Sequence, residues 1–316
     1  VWSAFENSSG RKISILMEKI VITGGKGQLG SELARCLKRR TTELGSVPLF
    51  KTDYEYTVID ADELDITDEQ AVRSFFAQGA YTTIINCAAF TNVNLCESEE
   101  EKAYQVNKVG AENLAKAAQA YNMKLIHVST DYVFAGNGSR PYLESEATAP
   151  QSAYGRTKEA GERAVMMHCS RYFIVRTAWL YGYTGNNFVK TMMKLGRERG
   201  AVSVVNDQYG NPTNAADLAY HLLKLVTSDS YGIYHGTGLG ICSWYEFACK
   251  IMEYAGIQAT VTPCTTEEYM APAKRPAYSA LDHYHFEKTV GYAFRPWEEA
   301  LHYFIEHLDQ IEGEAV

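Results

Sequence analysis

Two residues four positions apart, Tyr154 and Lys158 in the run Ser-Ala-Tyr-Gly-Arg-Thr-Lys, carry the chemistry most easily read from this chain. On a helix, positions i and i+4 share a face, so an ammonium would lie beside a phenol. A phenol titrates near about 10 in water, and a neighbouring cation draws that value toward the range where proton exchange works at neutral pH. The same spacing also occurs in ordinary exposed helix pairs. What gives it weight is the segment Lys19 to Leu33, Lys-Ile-Val-Ile-Thr-Gly-Gly-Lys-Gly-Gln-Leu-Gly-Ser-Glu-Leu. An apolar strand there runs into a turn holding Gly24, Gly27, Gln28, Leu29 and Gly30, and an amphipathic helix follows through Leu33, Ala34 and Leu37. Gly24 permits the tight turn, Gly27 clears the approach of a pyrophosphate, and Gly30 lets the helix pack on the strand. The helix N-terminus then faces the phosphates. A proton donor and a site for a hydride carrier are thus written into one chain.

Positioning these groups requires a scaffold, and the strand pattern supplies one. Apolar strands are expected at 19–23, 56–60, 83–87, 124–129, 173–177, 202–205 and 232–235, with helices at 28–39, 69–78, 99–121, 153–167 and 188–199 between most of them. Such alternation predicts an α/β fold, a Rossmann-type doubly wound parallel sheet covered on both faces. After Ile241 the order becomes helix (244–255), short strand (258–262) and final helix (297–308), which marks a smaller C-terminal α+β substrate lobe. The expected division is a tail at 1–18, a dinucleotide-binding domain at 19–180 with the strands at 202–205 and 232–235 returning to it, and a mainly substrate-binding lobe at 181–316. Met17, just before the first core strand, offers a natural start, and residues 1–16 are read as lying outside the fold.

In open parallel sheets ligands sit beyond the carboxyl ends of the strands. Asp60, Asp65 and Ile66 follow the second strand, and Ala88, Ala89, Phe90 and Thr91 follow the third. Thr130 and Asp131 follow the fourth. The Thr130 hydroxyl could serve a carbonyl oxygen or cap a turn, and Asp131 has an equal role open to it as a cap.

The 316 residues are 46% hydrophobic and 22% charged, enough for a sizeable core. A net charge of −8 lacks the basic face that nucleic acid demands. No apolar run reaches the roughly 20 residues that span a bilayer. Seven cysteines, scattered and without Cys-x-x-Cys pairing, fit a reducing cytoplasm and give neither a disulfide framework nor a zinc site.

Together, Thr-Gly-x-x-Gly-x-x-Gly at 23–30, Asn-Cys-Ala-Ala at 86–89 and Tyr154-x-x-x-Lys158 resemble the extended short-chain dehydrogenases/reductases. Ser-Thr-Asp-Tyr-Val-Phe at 129–134, Asn-Asn-Phe at 186–188, Asn-Asp-Gln-Tyr-Gly-Asn-Pro-Thr at 206–213 and Arg275-Pro276 with Ser279 and Leu281-Asp282 resemble, within them, the dTDP-4-dehydrorhamnose reductase family. The resemblance implies reduction of the C4 ketone of dTDP-4-dehydro-L-rhamnose by NADPH or NADH. It implies Tyr154 as proton donor, Lys158 as the residue that lowers its pKa and holds the nicotinamide ribose, and Thr130 on the C4 oxygen. It places Thr91, Val93, Asp131, Tyr132 and Trp179 at the sugar, and Asn187, Gln208 and Arg275 at the nucleotide, where a guanidinium suits a diphosphate. Asn107 matches an asparagine that supports the lysine through water, or is a buried amide satisfied by nearby backbone. Some relatives form homodimers around Mg2+ held by carboxylates, a metal site not assignable from the acidic positions here. Asp60 favours NADH, whereas Lys26, Arg39 or Arg40 would meet a 2′-phosphate and favour NADPH. The connection at 41–57 is longer than a compact unit needs. Two other readings stay open: a nucleotide-sugar epimerase or dehydratase of the same superfamily, and a non-catalytic subunit resembling the regulatory partner of methionine adenosyltransferase.

Overall fold

The computed structural model describes residues 2–6, 12–48, 53–291 and 294–312, with side chains from residue 17 to residue 311 among them. The expectations for residues 1, 7–11 and 49–52 lie outside the described residues. Six parallel strands form the central sheet: β1 (Glu18–Thr23), β2 (Tyr54–Ile59), β3 (Thr83–Asn86), β4 (Lys124–Thr130), β5 (Tyr172–Thr177) and, after a strand of the second lobe, β7 (Gly232–His235). Their spatial order is β7-β5-β4-β3-β1-β2. The chain leaves β1 toward β2 and returns on the other side to β3, so the crevice of the fold opens past the carboxyl ends of β1 and β3.

Burial explains the strands. Ile20, Ile22, Ile85 and Ile126 pack on one face of the sheet with Leu33 and Leu37 of helix α1 (Gln28–Arg39). Val21, Ile84 and Leu125 pack on the other with Phe76 of α2 (Glu69–Gln78) and Leu114 of α3 (Ala111–Ala120). Strands buried on both faces have no polar side to present, hence their continuous apolar run. Helix α4 (Ala153–His168) carries Tyr154 and Lys158 and begins at Ser152, whose hydroxyl accepts from Gly155 N.

The second lobe contains α5 (Phe188–Arg199), β6 (Ala201–Val205), α7 (Trp244–Tyr254), β8 (Thr260–Cys264) and α8 (Trp297–Glu312) around Tyr181, Phe247, Trp297 and Phe304. Four expectations are corrected. The strand at 202–205 pairs with β8 and does not return to the central sheet; its first three positions are not buried, which suits a two-stranded edge rather than a sandwiched strand. Helix α6 (Ala215–Val226), placed beyond the expected boundary at 180, packs on α1 against the central sheet. The helix expected over 99–121 is broken into Val93–Ser98, Glu100–Tyr104, a π-helical turn at Gln105–Gly110, and α3. Finally, Glu18 already belongs to β1, and before it Trp2–Glu6 pairs antiparallel with Lys12–Leu16 as a sheet of its own.

The long connection after α1 is tied down. Its hairpin Thr41–Thr42/Gly45–Ser46 turns Glu43 inward, where it accepts from Tyr183 Oη at 2.7 Å and from Arg295 at 2.6 Å. Arg295 also binds Asp217 of α6, so the connection joins both lobes.

Candidate active site

The crevice is a cavity of about 890 Å³. Its floor is the glycine-rich loop. Gly24 has φ +69°, and a Cβ there would lie 2.6 Å from Ala88 N; at Gly30 a Cβ would lie 2.2 Å from Gly24 O. Only glycines let the loop press against both the β3 end and its own helix. Gly27 begins α1 with no side-chain cap, so the first-turn N–H groups of the helix stay open toward the cavity. That geometry fits the pyrophosphate of a dinucleotide.

Most of the expected residues line this one cavity. Gly24, Gly27, Gln28, Leu29 and Gly30 are joined there by Asp60, Asp65, Ile66, Ala88, Ala89, Thr91 and Val93. Thr130, Asp131, Tyr132, Tyr154, Lys158, Trp179 and Asn187 complete it. Phe90 is not on the wall. Its backbone is held from behind by Asn107, whose Oδ1 accepts from Phe90 N at 2.8 Å and whose Nδ2 donates to Phe90 O at 3.1 Å and to Thr157 Oγ1 at 3.0 Å. Of the two roles open to Asn107, the structure displays the satisfied buried amide, and the π turn that carries it is what aims it.

Gln208 and Arg275 also lie off this wall. Gln208 is buried and donates to Thr266 Oγ1 at 2.9 Å. Arg275 lines an adjoining cavity of about 1020 Å³ in the second lobe, with Phe188, Val205, Cys264 and Tyr269. Its Nε is buried with no hydrogen-bond partner, a donor suited to an anion. Phe188 and Trp244 border both cavities. Trp244 was missed by sequence reasoning, because a Trp opening a helix reads as core. Its indole stacks on Trp179, centroids 3.6 Å apart and planes 8° off parallel. Trp179 stands at φ +47°, a left-handed conformation costly for a bulky residue.

At the ribose end, Asp60 accepts from Lys26 N and Ala61 N, both at 2.8 Å. The Lys26 ammonium is paired with Asp62. Arg39 and Arg40 are not in reach: they end α1, roughly 17 Å along a 12-residue helix from the loop, and Arg40 lies over Tyr54, at the opposite end of β2 from Asp60.

The reactive end is dense with hydroxyls. Gly155 brings the start of α4 against the Tyr132 segment, since a Cβ there would lie 2.2 Å from Tyr132 O. Tyr132 and Tyr154 consequently meet edge to face at 5.5 Å. Tyr154 and Thr130 both line the cavity at this end. Thr130 Oγ1 donates to Asp131 Oδ1 at 2.9 Å and accepts from Tyr132 N at 3.2 Å. Lys158, 2% exposed, donates to Val128 O at 2.7 Å. Burial brings its pKa down to about 8, against the pull of Glu162 and Cys87. Glu162 is itself held in a buried bidentate pair with Arg176 at 2.9 and 2.7 Å. One expectation reverses here. Burial holds the Tyr154 phenol well above its usual value, the Thr130 hydrogen bond opposes this, and Lys158 is not among the leading influences. In this conformation the phenol keeps its proton.

Around the strand ends, Thr23 Oγ1 donates to Asn86 Oδ1 at 2.7 Å, and Asn86 Nδ2 meets His127 Nδ1 at 2.9 Å. This crosslink through β1, β3 and β4 fixes the rim on which the site is built. Among the described residues no cluster of three or more His, Cys, Asp or Glu is arranged to hold a metal, and no helix is long and apolar enough to cross a membrane.

Comparison with known proteins gives a consistent result. The family model described as the RmlD substrate binding domain matches residues 17–310. A dTDP-4-dehydrorhamnose reductase of Aggregatibacter actinomycetemcomitans is 39% identical over 297 residues, covering 90% of this chain and 97% of that protein. The crystal structure of a dTDP-4-dehydrorhamnose reductase from Clostridium acetobutylicum is 46% identical, with TM-score 0.86 over 92% of this chain and 99% of that one. The dTDP-4-dehydrorhamnose reductase of Bacillus anthracis, solved in complex with NADP, is 42% identical with TM-score 0.87, over 92% and 100%. With that family model matched over residues 17–310 and these relatives similar over about nine-tenths of its length, the chain belongs to the RmlD substrate-binding domain family.

Proposed function

We propose that this chain reduces the C4 ketone of dTDP-4-dehydro-L-rhamnose to dTDP-L-rhamnose, with NADPH or NADH as reductant. The observation that carries this is the convergence of Tyr154, Thr130 and Lys158 on one wall of the cavity whose floor is the uncapped start of α1. The bound dinucleotide supplies the hydride to the ketone carbon. The chain's own residues do the rest. The Gly24–Gly30 loop and the α1 N-terminus hold the pyrophosphate, and Asp60 stands at the adenosine ribose. Tyr154, still protonated, gives its proton to the oxygen as negative charge develops there. Lys158, a cation in a low-dielectric wall, stabilises that charge and the phenolate left behind. Trp179 offers a flat apolar face to the sugar. In the adjoining cavity the unpartnered Arg275 Nε suits the diphosphate, and Phe188 and Trp244 suit a base or deoxyribose.

Free thiols at all seven cysteines support a reducing, cytoplasmic setting. The −8 charge supports a small-molecule partner rather than nucleic acid.

The test is NAD(P)H absorbance in the presence of dTDP-4-dehydrorhamnose, run with each cofactor. Absorbance should fall only when the 4-keto sugar nucleotide is present. Tyr154→Phe keeps size and packing and should cut kcat/KM by on the order of 10²-fold or more. Cofactor retained through purification without net oxidation would point instead to an epimerase or dehydratase. Silence with every sugar, together with co-purification of a synthetase, would point to a regulatory subunit.

A further inference from the structure

Between Tyr181 and Phe188 the chain passes into the second lobe, and on the way it lies along the first turn of α1. A Cβ on Gly182 would stand 3.7 Å from Gln28 Cβ, and one on Gly185 would stand 3.9 Å from Gln28 Cγ. Asn187 Nδ2 donates to Gln28 Oε1 at 3.1 Å and to Gly182 O at 2.8 Å. Gly185, Asn186 and Asn187 face the same cavity as Gly27 and Gln28. The segment Gly182–Asn187 is thus a strap along the edge of the open N–H groups at the start of α1.

Two glycines in six residues make such a strap costly to fix, and Gly185 stands at φ +71°. Tyr183 supplies the anchor. It is 5% exposed, its ring packs on Phe304 of α8 with centroids 4.7 Å apart, and the Arg35 guanidinium lies 5.2 Å from its centroid. Its hydroxyl donates to Glu43 Oε1 at 2.7 Å. Glu43 is held in turn, because Oε2 accepts from Arg295 at 2.6 Å and from Asn214 at 3.4 Å. The long connection after α1 therefore brings a buried carboxylate to the strap. Lys190 of α5 completes the hold by donating to the carbonyls of Tyr183 and Gly185.

Resting on the reading of the Gly24–Gly30 loop as the dinucleotide site, we infer that Tyr183 and Glu43 are positioning residues for the cofactor. Their hydrogen bond pins the strap against Gln28 and so shapes the edge of the pyrophosphate pocket. Neither residue touches the cofactor or the reacting atoms. Because the pyrophosphate is common to NADH and NADPH, loosening the strap weakens both alike, and the chemical step at the far end of the cleft is spared.

Fluorescence titration of the full chain with NADH and with NADPH, without sugar, reads this directly. In Tyr183→Phe, which keeps the ring and leaves Glu43 paired with Arg295, Kd should rise about threefold to tenfold for both cofactors, while kcat at saturating cofactor stays within about twofold of wild type. Glu43→Ala should bring the same rise, Glu43→Gln, which keeps an acceptor for the phenol, should restore most of the affinity, and the Tyr183→Phe/Glu43→Ala pair should lose no more than either alone. If Glu43→Ala fails to fold, Tyr183→Phe carries the test. A wild-type Kd in Tyr183→Phe overturns the inference, as does a matching fall in kcat, which would make Tyr183 a general packing residue, or a loss confined to one cofactor. A wild-type chain that bound neither NADH nor NADPH would instead sink the dinucleotide reading itself.

Discussion

Asn107 grips the backbone of Phe90 from both sides, accepting from its N–H at 2.8 Å and donating to its carbonyl at 3.1 Å. Through this one amide, the π turn at Gln105–Gly110 sets the position of the Cys87–Thr91 segment, the wall on which a nicotinamide-bearing ribose would rest. Asn107→Ala leaves Phe90 N, Phe90 O and Thr157 Oγ1 without this partner. The expected cost is about 1–3 kcal/mol of stability, with KM for NAD(P)H rising several-fold. Asn107→Asp keeps the acceptor and should fall between. Urea denaturation and cofactor titration check both, and an alanine variant with unchanged stability and KM would show that the grip is dispensable.

Charge at the ribose end sets a second expectation. Lys26 is the cation near Asp60, and Asp62 holds it. A 2′-phosphate arriving there would compete with Asp62 for the ammonium and face Asp60 and Glu63 besides. Asp62→Asn releases Lys26 and removes one negative charge. Because both groups are exposed, the gain should be modest, about threefold to fivefold in kcat/KM for NADPH relative to NADH. An unchanged ratio would place discrimination elsewhere.

Buried histidines make the fold sensitive to acid. His127 accepts from Asn86 through Nδ1 and so is neutral, and burial holds its pKa well below the usual value. His221 and His283 are likewise lowered, to about 3 and about 4, and His235 well below its usual value. The unfolded chain protonates these rings near 6.5 while the folded chain does not. Their stabilisation is therefore complete above pH 6.5 and is lost as pH falls toward the folded values. Asp131 and Asp217, raised to about 6, act in the opposite sense between about 6 and 3.8. Four rings against two carboxyls leave a net uptake of about two protons on unfolding, on the order of 2 kcal/mol per pH unit near pH 5. Urea midpoints at pH 7, 6 and 5 should fall in that order. A flat or rising series would contradict it.

The sequence revealed what is local. Ile20, Val21 and Ile22 read as a strand because burial on both faces left no polar position, and Gly24 to Gly30 read as a phosphate loop because strand, turn and helix are contiguous. Tyr154 and Lys158 needed only helical spacing. What escaped depends on distant contacts. The π turn leaves no mark on a helical pattern that is polar and apolar in the usual rhythm. The raised Tyr154 pKa comes from burial, with Tyr132 packed edge to face beside it, which no spacing encodes. Helix α6 belongs with α1 only because Leu218, Leu222 and Leu225 face the central sheet, a tertiary choice. Val202 to Val205 was misplaced for the same reason, since a short strand does not announce its partner.

Trp244 is the clearest case of a residue visible only in three dimensions, and it yields the last expectation. It stacks on Trp179 at 3.6 Å and borders both cavities, so it backs the aromatic wall expected to meet the sugar. Trp179 holds a left-handed backbone at φ +47°, a conformation that persists only where surrounding contacts determine it. Removing the backing ring should let Trp179 relax away from the cleft. An aromatic pair of this kind is worth about 0.5–1.5 kcal/mol beyond its buried area, which corresponds to roughly a twofold to tenfold rise in KM for the sugar nucleotide in Trp244→Ala. Cofactor binding at the other end of the cleft should be unaffected, and Trp244→Phe should recover part of the loss. Quenching of tryptophan fluorescence by dTDP would be weakened in the same variant. If KM for NAD(P)H rose in step with that for the sugar nucleotide, the stack would be general packing, and Trp179 would owe its pose to Gly210, where a Cβ would lie 2.7 Å from the indole.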